Sequence, residues 1–201
     1  MNRRGMTLLE LIVGLTVTAM VISAGMGAVA MLADRRQAAA ELMRAESRAA
    51  AARQALVGWL AGARLTADDG GPSFRGLDGV RDDLPDDELS FLTTARTPLG
   101  QGEAVVRIYL DRDDATPEEG LTAEFAEWRG LETRRVELDP RVRGLDIRYV
   151  SRVLGGRIVL PSWISSTVLP AGVEVALLPG AGDTLPPLLA RPMLVTFREG
   201  R

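Results

Sequence analysis

An uncharged, apolar run near the N-terminus limits the architectures open to this chain. No charged residue occurs from Leu11 to Ala33, a span of 23 residues. At about 1.5 Å per residue, a helix of this length measures about 34 Å, which exceeds the roughly 30 Å hydrocarbon core of a bilayer. Arg3 and Arg4 precede the run. We therefore expect the short N-terminal end to stay in the cytoplasm and the remainder to lie across the membrane.

Three kinds of N-terminal segment contain such a run. The first is a permanent signal anchor, and the second is a secretory signal peptide cut after Ala30, where Ala28-Val29-Ala30 has the small-x-small pattern. The third is a leader cut on the cytoplasmic side, after Gly5. Glu10 favours the third interpretation, because a carboxylate is costly in a membrane and serves neither an anchor nor a signal peptide. The run is also longer than the apolar region of a signal peptide, about 7–15 residues.

The composition excludes several classes of function. The chain contains no Cys, His or Lys, so it cannot form a disulfide, a Cys/His zinc site or a covalent intermediate on Cys or Lys. The net charge is −3, and acidic residues outnumber basic ones after residue 33, which disfavours nucleic-acid binding. The composition therefore favours a structural or binding protein over an enzyme, without a cofactor.

Helix-forming residues continue beyond the apolar run. No proline precedes Pro72, and residues 34–60 are rich in Ala, Arg, Glu, Leu and Met. One apolar stripe with a spacing of three to four residues contains Leu42, Ala45, Ala49, Ala52, Leu56 and Trp59. We expect this stripe to pack against a sheet of the same chain, with a dimeric coiled coil as the alternative.

The remainder of the chain contains short β-rich runs separated by turn residues. The Gly- and Asp-rich segment Thr66–Leu84 predicts a loop. The predicted strands are Glu88–Thr93, Ala104–Leu110, Thr122–Trp128, Glu132–Leu138, Leu145–Val150, Val173–Leu178 and Met193–Phe197. One long helix followed by strands with polar outer faces predicts an α+β fold with antiparallel sheets.

Two acidic clusters are candidates for a binding site. The first contains Asp111, Asp113, Asp114, Glu118 and Glu119, whose oxygens are of the type that calcium prefers. Its spacing differs from that of an EF-hand loop and Pro117 interrupts it, so a solvated turn without metal is the favoured interpretation. The second cluster is also predicted to be solvated and contains Asp82, Asp83, Asp86, Asp87 and Glu88.

Residues 3–13, Arg-Arg-Gly-Met-Thr-Leu-Leu-Glu-Leu-Ile-Val, resemble the leader of type IV pilins and type II secretion pseudopilins. The resemblance implies cleavage between Gly5 and Met6 by a prepilin peptidase and N-methylation of Met6, which stands where the family usually has Phe. It also places Glu10 at the fifth position of the mature chain, where the family has its glutamate. The new amino group at Met6 would be buried, and an unpaired buried charge is costly. We expect Glu10 to pair with this amine in a neighbouring subunit and so to set the axial register.

The globular part is similar to the J-type minor pseudopilins of the general secretion pathway. The similar segments are residues 89–93, 107–111 and 144–149, and Trp163 followed by Leu169-Pro170-Ala171-Gly172-Val173. The resemblance implies a pilin-like fold with a cleaved leader (1–5), a transmembrane helix (6–33), a helix continuation (34–65) and a periplasmic β-rich domain (66–201).

The function implied by the resemblance is that of a minor pseudopilin of the type II secretion system. Such a subunit crosses the inner membrane once and joins the tip of the periplasmic pseudopilus. Its implied partners are minor pseudopilins of the I, K and H types, the prepilin peptidase and the inner-membrane assembly platform. The alternatives are a minor type IV pilin for adhesion or DNA uptake, and a membrane-anchored or secreted periplasmic enzyme that uses carboxylates.

Overall fold

The computed structural model describes residues 8–65, 72–113, 115–153 and 156–197. The chain divides into two compact units, Met1–Ala45 and Glu46–Arg201. One helix, α1 (Leu8–Ala61), has 54 residues and contributes to both units. Its length follows from the run of helix-forming residues without proline. The described residues of the first unit are all helical.

The second unit contains thirteen strands and a short helix among its described residues. In chain order the strands are β1 (Ala63–Arg64), β2 (Phe74–Leu77), β3 (Val80–Arg81), β4 (Leu84–Pro85), β5 (Glu88–Thr93), β6 (Ala104–Asp111), β7 (Gly120–Glu127), β8 (Thr133–Asp139), β9 (Val142–Val153), β10 (Gly156–Leu160), β11 (Trp163–Ser165), β12 (Gly172–Pro179) and β13 (Met193–Thr196). The short helix, α2 (Pro187–Ala190), lies between the last two strands.

The strands form two larger antiparallel sheets and one small ribbon. The seven-stranded sheet has the order β11-β2-β5-β6-β7-β8, and β1 pairs with one end of β5. The four-stranded sheet has the order β10-β9-β12-β13, and β3 pairs with β4 in the ribbon. The predicted α+β fold, with a long N-terminal helix and antiparallel sheets, is therefore confirmed.

Both sheets and the C-terminal part of α1 contribute to one hydrophobic core. Buried side chains of the larger sheet include Phe91 and Phe125, and those of the smaller sheet include Ile147 and Val173. The guanidinium of Arg53 on α1 donates hydrogen bonds to the carbonyls of Leu188 and Arg191, each 2.8 Å away. The core therefore has apolar packing at its centre, and hydrogen bonds from Arg53 connect α1 to the C-terminal segment.

All seven predicted strands occur, with ends shifted by up to a few residues. The prediction that Thr66–Leu84 is a loop is wrong in part, because β2 and β3 lie within it and β4 begins at Leu84. Strand β2 is short and contains Gly76, which weakens its β pattern. This glycine is required by packing, because a Cβ at residue 76 would lie 1.8 Å from the hydroxyl oxygen of Tyr149.

The apolar stripe of α1 is buried over only part of its predicted length. Ala49, Ala52, Leu56 and Trp59 belong to the core, as predicted for a stripe that packs on the chain's own sheet. Leu42 is 65% exposed, so the prediction is wrong for this residue. It lies in the unit Met1–Ala45, whose described residues form no sheet against which it could pack.

Trp59 anchors the C-terminal end of α1 within the second unit. Its ring meets Phe125 of β7 edge to face, with 4.7 Å between ring centroids. Its indole N–H donates to the carbonyl of Arg96 at 3.2 Å, and its own carbonyl accepts a bond from the hydroxyl of Thr93 at 2.8 Å. An aromatic side chain that is both packed and hydrogen-bonded holds the helix in one position against the strands.

We predict that arginine at position 49 unfolds the second unit while arginine at position 42 does not. Ala49 is 1% exposed, so Ala49→Arg buries an unpaired charge and should lower the free energy of unfolding by at least about 3 kcal/mol. Leu42→Arg should change it by less than about 0.5 kcal/mol. Urea unfolding of the full chain in detergent, followed by tryptophan fluorescence, measures both. Equal stability of the two variants would contradict the packing of this helix face.

Candidate membrane and assembly site

The described part of the first unit exposes an apolar surface. Among the described residues, α1 is the one helix long and apolar enough to cross a membrane, and its most apolar 18-residue window has a mean hydropathy of 2.0 and no buried residue. The side chains of Leu8, Leu9 and Met20 are each more than 70% exposed. A helix whose apolar side chains are exposed in this way suits lipid or other apolar helices.

Two threonine hydroxyls within this segment are hydrogen-bonded to the helix itself. The hydroxyl of Thr18 donates to the carbonyl of Gly14 at 2.7 Å, and that of Thr16 donates to the carbonyl of Ile12. A hydroxyl that donates to the carbonyl four residues earlier does not need a water molecule as its hydrogen-bond acceptor. The two threonines are therefore compatible with a bilayer interior, where each unsatisfied polar group costs several kcal/mol.

Glu10 lies in the first turn of α1, and its side chain is exposed. Gly5 and Met6, the predicted cleavage and methylation residues, lie outside the described residues. The structure thus locates Glu10 near the start of the described part of the apolar helix. Its pairing with the terminal amine of Met6 in a neighbouring subunit stays a prediction.

The prediction of a solvated turn after β6 is wrong for Asp111, whose carboxylate is used within the fold. Asp111 is 4% exposed, and its carboxylate accepts the backbone N–H of Asp113 at 3.0 Å. Glu119 pairs with Arg143 at 3.5 Å, and Asp114 lies outside the described residues. The described residues contain no group of three or more carboxylates placed to hold a metal ion.

The second acidic cluster is not solvated throughout, so that prediction is wrong for Asp87. This residue is 2% exposed, and its two carboxylate oxygens accept the backbone N–H groups of Gly79 and Ile147 at 2.9 and 2.6 Å. Burial raises the pKa of Asp87, and these two hydrogen bonds partly oppose that rise. The carboxylate therefore joins the segment before β3 to the middle of β9.

The neighbours of Asp87 in this cluster are paired with arginines. Glu88 forms a two-point bond with Arg107, with oxygen to nitrogen distances of 2.8 and 2.7 Å. Asp86 lies 3.3 Å from Arg81 and 3.8 Å from Arg112. The cluster consequently links strands of both larger sheets and is a structural element of the second unit.

We predict that Asp87→Asn lowers the free energy of unfolding by about 1–3 kcal/mol, because one of the two backbone N–H groups then faces an amide NH2 and loses its acceptor. The folded-state pKa of Asp87 lies above the unfolded value, so ionisation costs the folded state free energy. The advantage of wild type over the variant should be largest below about pH 4 and should shrink as the pH rises through the folded pKa. Urea unfolding of both proteins at pH 4 and pH 7 measures this, and an advantage that grows with pH would contradict it.

A shallow groove beside α1 was not predicted from the sequence. It has a volume of about 500 Å³ and lies between the exposed side of the last turns of α1 and the loop after β5. The helix contributes Ala51, Gln54, Ala55 and Gly58, and the loop contributes residues 95–98. The small residues of the helix were visible in the sequence, but the position of the loop depends on the pairing of β5 and on the bond from Trp59.

The leader and the apolar helix agree with a known family signature. Residues 1–26 match the prokaryotic N-terminal methylation motif, which is characteristic of type IV pilins and pseudopilins. A comparison with curated proteins found no match. The motif indicates processing by a prepilin peptidase, and together with the exposed apolar helix it indicates anchoring by a single membrane span. The motif covers the N-terminal 26 residues, and the α+β fold that follows, with its long N-terminal helix, is consistent with a pilin-like fold.

Proposed function

We propose that this protein is a minor pseudopilin of the type II secretion system, a structural subunit of the tip of the periplasmic pseudopilus. The observation that carries the proposal is the methylation motif at residues 1–26, continuous with an apolar helix that leads into an antiparallel β domain. Such a chain is inserted in the inner membrane, processed, and extracted into a filament. Its activity is assembly, and it has no catalytic role.

The J-type assignment rests on the order of several segments along the chain. The segments that resemble this type form most of β5, the second half of β6 and the middle of β9. Trp163 begins β11, and the following Leu-Pro-x-x-Val sequence leads into β12. These segments supply both sheets, so the resemblance extends over the β domain. The partners proposed on this basis are minor pseudopilins of the I, K and H types, with the prepilin peptidase and the inner-membrane platform.

Glu10 is proposed to set the register of the subunit in the filament. Cleavage after Gly5 leaves a charged, methylated amine on Met6, and both the amine and Glu10 then lie in an apolar environment. Neutralising each charge by the other lowers the cost of burying them. Pairing between neighbouring subunits fixes their axial offset, because only one offset brings the two groups together.

A minor type IV pilin is the second candidate, since the methylation motif is common to both classes. The excess of acidic residues after residue 33 disfavours direct DNA binding by such a pilin. Deletion of the gene distinguishes the two functions. Loss of secreted proteins with intact surface pili supports the pseudopilin, and loss of pili, adhesion or DNA uptake with intact secretion supports the pilin.

We predict that Gly5→Ala leaves the protein unprocessed. A peptidase that must close on the backbone at Gly5 should reject a side chain there, so the full-length form should accumulate. Mass spectrometry of the membrane fraction distinguishes the preprotein from a mature chain that begins with methylated Met6. Normal maturation of the variant would exclude the prepilin interpretation, and a chain that begins at Met31 would identify an ordinary secreted protein.

We predict that Glu10→Leu leaves membrane insertion intact and reduces assembly and secretion by at least tenfold. Removing a charge from an apolar segment favours insertion, whereas the neighbouring amine loses its partner. Glu41→Leu is the matched control, because Glu41 lies on the same helix beyond the apolar run. Cross-linking to neighbouring subunits and the amount of secreted protein measure the outcome. Equal behaviour of the two variants would remove the register role of Glu10.

A further inference from the structure

The turn between β7 and β8 presents an exposed leucine. Leu131 is 100% exposed, the largest exposed fraction among the large apolar side chains that the structure describes. The backbone N–H of Glu127 donates to the carbonyl of Glu132 at 3.0 Å and closes the turn. A Cβ at residue 130 would overlap the carboxylate of Glu127, so Gly130 lets that side chain fold over the turn. This turn, residues 128–132, is termed here the β7–β8 tip and has a fixed shape.

An unpaired carboxylate stands beside this leucine. Glu132 is exposed, and within the described part of the chain its carboxylate makes no hydrogen bond or ion pair. The β7–β8 tip therefore presents an aliphatic group directly followed by a negative charge. One exposed leucine is unremarkable by itself, so its meaning depends on whether the molecule has a surface that fits both groups.

The groove beside α1 has the complementary shape and charge. Three small residues of α1, Ala51, Ala55 and Gly58, line it and leave room for an aliphatic side chain. Arg96 lines its loop side and is exposed, and none of the described lining residues is acidic. Arg48 is also exposed and lies three residues before Ala51, so the two are neighbours on the helix surface.

The two arginines beside the groove are available to an incoming carboxylate. The side chains of Arg48 and Arg96 make no hydrogen bond or ion pair with the residues that the structure describes. Other arginines of the same unit, such as Arg107 and Arg135, are already paired with Glu88 and Glu124. The groove is therefore an apolar depression with unpaired positive charge at its margin.

The loop side of the groove is held in place before any partner binds. The indole N–H of Trp59 donates to the carbonyl of Arg96 at 3.2 Å, and the guanidinium of Arg134 donates to the carbonyl of Pro98 at 3.2 Å. Thr97, between these two carbonyls, is buried. The loop is thus fixed through its backbone while the side chain of Arg96 stays exposed, and a preformed surface loses little conformational entropy on binding.

We propose that the β7–β8 tip of one copy of this chain docks in the groove beside α1 of a second copy. Leu131 covers the small side chains of Ala51 and Ala55, and Glu132 pairs with Arg96, with Arg48 nearby. A second copy is the chosen occupant because the chain itself carries the matching aliphatic group and charge, and both surfaces belong to the unit Glu46–Arg201.

The two surfaces differ, so the contact is heterologous and can extend from copy to copy. One side chain and a short turn bury little surface, and interfaces below about 1,200 Å² are typical of transient contacts. The association should therefore be weak and concentration-dependent, and salt should weaken it because the charged pair is near solvent. This inference goes beyond the proposed function and does not depend on the cleavage of the leader.

The test uses the full chain in nanodiscs that each hold one copy, so that lipid keeps the apolar helices apart. Sedimentation velocity over a range of concentrations should show reversible association of the discs through the β-rich units. Leu131→Ser removes the aliphatic group and should weaken the association at least tenfold. Empty nanodiscs are the blank, and circular dichroism of every variant verifies its fold.

A pair of matched variants assigns the contact to the groove. Ala51→Trp fills the groove and should weaken the association at least tenfold. Ala50→Trp makes the same change at the preceding residue, which is exposed on the same helix and does not line the groove, and should alter it less than twofold.

Charge reversal tests the proposed ion pair. Arg96→Glu and Glu132→Arg should each weaken the association at least threefold, because each brings like charges together. The double variant restores opposite charges across the contact and should associate more tightly than either single variant. A merely additive loss in the double variant would contradict the pairing.

A mixing experiment decides whether the tip of one copy meets the groove of another. The Leu131→Ser variant keeps its groove and the Ala51→Trp variant keeps its tip, so a mixture of the two, labelled with different dyes, should associate more tightly than either alone. Three results would overturn the proposal: wild-type discs that remain monomeric, equal effects of the two tryptophan variants, and a mixture that associates no better than its components.

Discussion

The packing of the last turns of α1 on the strands is the interaction on which the β-rich unit depends. Trp59 contributes an aromatic contact with Phe125 and hydrogen bonds to residues on and just after β5. Ala49 and Ala52 have small side chains, which allow the helix backbone to approach the core closely. Because these contacts join one helix to strands that are distant in sequence, they fix the position of the helix relative to the core of this unit and form one side of the groove beside α1.

Periodicity in the sequence correctly predicted helices and strands with a regular apolar pattern. It failed where burial or pairing depends on residues that are distant in the sequence. The stripe of α1 was predicted correctly from Ala49 to Trp59, but its spacing could not show that Leu42 lies outside the unit that contains the strands. Strand β2 was missed because Gly76 interrupts its pattern, and its place in the sheet depends on β5 and β11. Asp87 lies among acidic residues that suggested solvent, whereas hydrogen bonds from the backbone N–H groups of Gly79 and Ile147 hold it inside the unit.

Some functional features can be predicted from a short stretch of sequence, whereas others depend on how distant strands pair. The leader is a local signal, so residues 3–13 were sufficient to predict the methylation motif found at residues 1–26. Strand β10 was not predicted, because its aliphatic run lacks the alternation of a strand and its position at an edge of the four-stranded sheet depends on the order of β9 and β12. Local chemistry therefore indicates how the subunit enters the membrane, while topology determines which surfaces remain for partners.

All basic residues of this chain are arginines, and some of them make contacts that a lysine could not replace. Arg107 and Arg141 each bind both oxygens of one carboxylate through two different guanidinium nitrogens. These geometries require the planar, forked guanidinium, and a single ammonium group cannot reproduce them. An exchange of Arg for Lys, usually regarded as conservative, would therefore preserve the charge at these two positions and still lose the two-point bonds, which at Arg107 join β6 to β5.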